Sequence, residues 1–256
     1  MKISQVAAQL YTVRDFCRNA AALAATARKI RAIGYEAVQL SAVGPIAPAE
    51  ITRILGEEGL AICATHEPAD MILDQPERAI ANLQALGCGL TAYPFPQGVD
   101  FADGAAVAAW VRKLDAAGAR FRAAGLTLGY HNHDVEFVRM GETTVLDYLY
   151  AHTDPAHLVA ELDTYWVQAG GGDPVAWCRQ LRGRLPFIHL KDYGMTVQRQ
   201  PEFREIGRGT LPMARIIAEA EQSGCRWFIV EQDTCPGDPF ASLRISFDYL
   251  KASLTA

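Results

Sequence analysis

Short apolar runs alternate with helix-period stretches along the whole chain. Residues 6–10 are strand-like, and Leu23, Ala27, Ile30 and Ile33 then recur at helical spacing until Gly34. A second strand at 35–40 precedes a helix opened by Pro48, with Ile51, Ile54 and Leu55 on one face and Gly59 at its end. The same alternation gives strands at 60–66, 88–93, 126–131, 158–162, 187–190 and 228–230. Between them lie helices carrying Ile80, Leu83 and Leu86, then Trp110, Leu114, Ala117 and Phe121, then residues 145–151. Asp173-Pro174 and Asp238-Pro239 are helix starts, with Asp as cap and Pro in the first turn, and Pro212 opens the helix with Ile216, Ile217 and Ala220. Residues 192–212 read as one long polar loop with Gly194, Gly207 and Gly209.

Strands separated by helices pair in parallel. Eight strands and eight helical segments predict an α/β fold, a (β/α)8 TIM barrel forming a single domain over residues 1–256. A doubly wound open sheet would carry a glycine-rich phosphate loop after an early strand, and this sequence has none.

Composition narrows the function classes. The formal charge of −5 gives no basic footprint for nucleic acid, and no apolar run reaches the ~18 residues of a membrane helix. Cys17, Cys63, Cys88, Cys178, Cys225 and Cys235 are scattered without a CxxC pair, and the N-terminus lacks signal-peptide order. The expectation is a cytoplasmic protein.

In such barrels the chemistry sits where strands end. Here those ends carry Gln9, Tyr11, Gln39, His66, Glu67, His131, His133, Glu161, Asp163, His189, Lys191, Glu231 and Asp233. Polar strand ends are common because they meet water. Ligand-type side chains on four neighbouring ends are a stronger signal for a metal.

The stretches 10–15 (LYTVRD), 129–137 (GYHNHDVEF), 161–167 (ELDTYWV), 188–192 (IHLKD) and 230–233 (VEQD) together resemble the sugar phosphate isomerase/epimerase family. These xylose-isomerase-like barrels include inosose dehydratases and ketose 3-epimerases. The resemblance spans essentially the whole chain. It implies one divalent metal ion (Mn, Zn, Co, Fe or Mg) held by ligands from strands five to eight. Asp163, His189 and Glu231 match three of those ligands, and the usual strand-five Glu falls on His131. A second imidazole would shift preference from Mg²⁺ toward Mn²⁺, Zn²⁺, Co²⁺ or Fe²⁺. Alternatively, His133 or Glu136 supplies the ligand, or the metal binds weakly.

The implied reaction is isomerisation or epimerisation of a keto sugar or sugar phosphate, by proton abstraction next to a carbonyl through a metal-stabilised enediolate. Glu231 and an imidazole at His131 or His133 are the candidate acid–base groups. One base with one acid would instead suit a lyase or dehydratase acting on an inosose or 3-keto-glycoside. His66, Trp166, Lys191 and Arg208 are candidate substrate contacts; for Lys191 pairing with a carboxylate is the equal alternative, and for Arg208 a solvated loop charge. A DNA-repair endonuclease fits the acidic balance poorly, and a metal-free sugar-binding barrel is the non-catalytic alternative. The expected partner is a small carbohydrate, without nucleic acid or membrane, in a homodimer or homotetramer as the resemblance implies.

Overall fold

The computed structural model describes residues 1–253; the last three residues of the predicted domain lie outside it. Eight parallel strands close into one barrel. They are β1 (Val6–Gln9), β2 (Ala37–Leu40), β3 (Ala61–His66), β4 (Leu90–Tyr93), β5 (Thr127–His131), β6 (Leu158–Asp163), β7 (Phe187–Leu190) and β8 (Trp227–Val230). β1 closes the barrel between β2 and β8. The apolar faces of the surrounding helices, such as Leu23, Ala27 and Ile30 or Val107, Trp110 and Leu114, are buried in the main core.

Two features depart from the alternating reading. Short helices Ala69–Asp74 and Thr164–Ala169 follow β3 and β6, so ten α-helices are present among the described residues. The polar stretch after β7 is a hairpin, with Asp192–Met195 antiparallel to Pro201–Arg204. The Asp192 carboxylate pins it by accepting backbone N–H bonds from Tyr193, Gly207, Gly209 and Leu211. A β-carbon on Gly209 would lie 2.2 Å from Asp192 Oδ1, so this tight clamp requires glycine.

Side chains alternate across a strand, so every second residue faces the barrel axis. A small apolar cluster there comprises Ala7, Ala37, Cys63, Ala64, Ala92, Phe187 and Ile229. Gly129 belongs to this packing, since its missing β-carbon would stand 2.6 Å from Phe187 Cζ. Gly129→Ala is therefore expected to destabilise the fold by about 1–3 kcal/mol through overpacking, read as a lower urea midpoint at unchanged slope. Two residues further along the strands, the inward positions become Gln9, Gln39, His131, His189 and Glu231. The apolar plug is thus the floor of a polar mouth.

Candidate metal centre

Strand register sets the positions of the candidate ligands. His131 on β5 is level with Glu161 on β6, and Asp163 is level with His189 on β7. His131, Asp163, His189 and Glu231 are all buried, and one ligand atom from each lies within 4.8 Å of the others. A second group, His66, His131, Glu161 and His189, meets the same limit just beside it.

Asp163 is held from both sides. Its N–H donates to Asn132 Oδ1 at 2.9 Å. Its Oδ1 caps the helix Thr164–Ala169 by accepting the Trp166 N–H at 3.0 Å. That leaves Oδ2 buried and facing the cluster, with the Lys191 ammonium as its neighbour. Burial pushes the Asp163 carboxyl up to about 6, against the pull of Lys191 and His189.

Lys191 is the group nearest these carboxylates. Its fully buried ammonium lies 3.0 Å from Asp163 Oδ2, 2.7 Å from Glu231 Oε2 and 2.7 Å from Asp233 Oδ2. Burial opposes its charge, but the three carboxylates outweigh burial and hold the ammonium well above its ordinary value. The Trp166 and Phe203 rings, each centred 5.5 Å from Nζ, shelter it. The hairpin thus helps to build the site, because Phe203 comes from its second strand and packs on Tyr165 at 4.2 Å.

The charges fit a divalent ion. Glu161, Asp163, Glu231 and Asp233 bring four carboxylates to one small region with one lysine among them. A divalent cation would nearly cancel the remaining negative charge, and two imidazoles with two carboxylates suit Mn²⁺, Zn²⁺, Co²⁺ or Fe²⁺. In the ion-free protein, imidazolium supplies part of that charge. Burial opposes it at His189, but Glu161 and Glu231 raise its value to about 10. Burial, with His189 beside it, lowers His131 to about 3 and keeps it a neutral donor.

Above the cluster lies a cavity of about 230 Å³ lined by Tyr11, Ser41, His66, Pro94, Phe95, His131, His133, Glu231 and Asp233. His133 Nδ1 is buried there without a partner. Burial, then His131 and Lys191, hold this imidazole well below its usual value, so it is neutral at pH 7. A larger hollow of about 560 Å³ beside Asp70, Asp74 and Lys113 contains none of the strand-end imidazoles.

The remaining sequence candidates fall into different places. His66 lines the cavity and bonds Glu161. Lys191 and Trp166 stand beside the candidate ligand carboxylates and do not line the cavity. Arg208 is exposed on the turn after the hairpin, where its N–H bonds Glu205 O at 2.9 Å. Glu136 anchors its loop, bonding the Tyr130 hydroxyl and the His133 N–H, and belongs to neither ligand group. Sequence reasoning placed Glu161 and the buried amides Gln9 and Gln39 at the mouth without giving any of them a role. Inward alternation from Ala7 and Ala37 was the available signal for both amides.

The sequence model of a family described as "Xylose isomerase-like TIM barrel" matches residues 27–253. No curated protein sequence matches the chain. Among solved structures, a sugar phosphate isomerase/epimerase from Parabacteroides distasonis superposes with TM-score 0.82 at 21% identity, covering 97% of this chain and 98% of that one. A xylose isomerase-like TIM barrel protein from Mycobacterium smegmatis, in complex with magnesium, gives 0.76 at 15%, covering 100% and 98%. A probable 3-DHS dehydratase from Bacillus anthracis gives 0.75 at 14%, covering 98% and 99%. At these identities the structural likenesses establish a shared fold.

Proposed function

The chain belongs to the xylose isomerase-like TIM barrel family, and from that premise we propose that it is a divalent-metal-dependent isomerase or epimerase of a keto sugar or sugar phosphate. One observation carries this reading. A carboxylate, Glu231, and an unpartnered neutral imidazole, His133, line one small cavity directly over four convergent ligand residues.

His131, Asp163, His189 and Glu231 would hold the ion. When bound there, it supplies Lewis-acid polarisation of a substrate carbonyl. The chain supplies the rest. The cavity of about 230 Å³ suits a single sugar ring and falls below the roughly 300–1,000 Å³ of drug-sized sites. His133 and Glu231 are the acid–base groups that can take a proton from the carbon beside the carbonyl and return it. Lys191 keeps Glu231 ionised; burial opposes that charge, but Lys191 and His189 outweigh it. Phe95, edge-on to the His133 ring at 4.9 Å, fixes the imidazole in the cavity wall.

A second reading is elimination from an inosose or 3-keto-glycoside. Its support is that β5 presents imidazole at His131 where the resemblance expects a carboxylate, together with the fold shared with a probable dehydratase. The test is incubation of manganese-loaded protein with ketohexoses, their phosphates and inosose in D₂O. An isomerase or epimerase returns sugar carrying deuterium at the exchanged carbon, whereas an eliminating enzyme yields an unsaturated or deoxy-keto product. Metal-loaded protein that does neither would contradict both readings.

A further inference from the structure

We propose that Gln39, oriented by Glu161 and supported by Gln9, decides which nitrogen of His189 is offered to the ion, and so which of the two overlapping ligand groups is used. This rests on the metal reading above. Gln9, Gln39, Glu161 and His189 are all fully buried, so their hydrogen bonds have no water to compete with.

The chain of bonds has one polarity. An ionised carboxylate only accepts, and Glu161 Oε1 lies 2.6 Å from Gln39 Nε2. The Gln39 amide nitrogen therefore faces Glu161, and its oxygen faces the other way. That oxygen accepts from Gln9 Nε2 at 2.9 Å. It also lies 2.6 Å from His189 Nε2, the nearer of two acceptors there, with Glu161 Oε1 at 3.2 Å. An amide oxygen cannot donate, so His189 Nε2 must carry the proton. In the ion-free protein Nδ1 carries a proton as well, donated to Glu231 Oε2 at 2.9 Å. Nδ1 is the nitrogen that faces the candidate ligand carboxylates, with Asp163 Oδ2 3.8 Å away, so its proton is the one an ion would displace.

This removes the second ligand group as an ion site. The nitrogen of His189 beside Glu161 is Nε2, 3.2 Å from Oε1 and already bonded to Gln39, and Glu161 is itself held by His66 and Gln39. The ion belongs with His131, Asp163, His189 and Glu231, and Glu161 acts one bond further out. Gln9 and Gln39 are level on β1 and β2, so the closure of the barrel places them opposite His189. They are positioning residues acting through His189, the role outer hydrogen-bond partners commonly take at metal sites.

The test uses full-length zinc-loaded protein. ¹⁵N NMR of its histidines should show one imidazole with zinc on Nδ1 and a retained Nε2 proton, assigned to His189 by its loss in His189→Gln. In chelator competition, Gln39→Met should lower zinc affinity about 10–100-fold, and Gln39→Glu, which as a neutral acid can donate to Glu161 and accept from His189, should restore it. Gln9→Met, one bond further out, should have a smaller effect. A protonated Nδ1 with zinc on Nε2 in wild type would overturn the proposal, as would unchanged affinity in folded Gln39→Met. If Gln39→Met does not fold, the wild-type spectrum still decides. Wild-type protein that takes up no zinc would instead overturn the metal reading beneath it.

Discussion

Asp163→Asn is expected to abolish tight metal binding and turnover in a barrel that still folds, less stably because Lys191 loses one of its three carboxylates. Asparagine keeps the Oδ1 acceptor that caps the helix through the Trp166 N–H, so the loop geometry survives. Oδ2, the buried oxygen that faces the cluster beside the Lys191 ammonium, is replaced by an NH₂ group that cannot ligate. Loss of an outer hydrogen-bond partner already costs about 10–100-fold in affinity, so loss of a ligand should exceed about 10²-fold. Isothermal titration with Mn²⁺ checks the affinity, and circular dichroism checks the fold. Wild-type affinity in the variant would remove Asp163 from the ligand set.

Lys191→Met should act mainly on stability. It leaves the buried Asp163 and Glu231, and the half-buried Asp233, without their shared ammonium. Breaking a buried pair this way costs about 3–5 kcal/mol, equivalent to roughly 6–20 °C in melting temperature for a chain of this size. The sign also predicts rescue. Removing the lysine makes the pocket more negative, so Mn²⁺ should raise the melting temperature more in the variant than in wild type. Differential scanning calorimetry with and without Mn²⁺ reads both effects. An unchanged ion-free melting point would mean that Lys191 is not the counter-ion of these carboxylates.

The barrel was legible because its strands are short apolar runs between helices with clear stops, such as Gly34 and Gly125. The inward placement of the candidate ligands was legible for the same reason: a period of two carries Phe187 to His189 and Lys191 along one face. The hairpin after β7 was not, because its fold depends on one carboxylate, Asp192, gathering four backbone N–H groups up to 19 residues away. A hydrophobic pattern contains no trace of that. Lys191 could be placed at the mouth, but whether it faces substrate or carboxylates depends on Asp163 and Asp233, which come from two other strand ends. Glu161 and Gln39 illustrate the same limit across the barrel. Their bond joins residues 122 positions apart, and neither side chain signals it alone.

The central claim is that one divalent ion sits among His131, Asp163, His189 and Glu231. Anomalous diffraction from a zinc-soaked crystal, recorded on both sides of the zinc edge, tests it most directly. The account predicts a single peak roughly 2.0–2.2 Å from His189 Nδ1, an imidazole nitrogen of His131 and oxygens of Asp163 and Glu231. A peak bound instead by His66, Glu161 and His189 Nε2, or no peak at the barrel mouth, would contradict it.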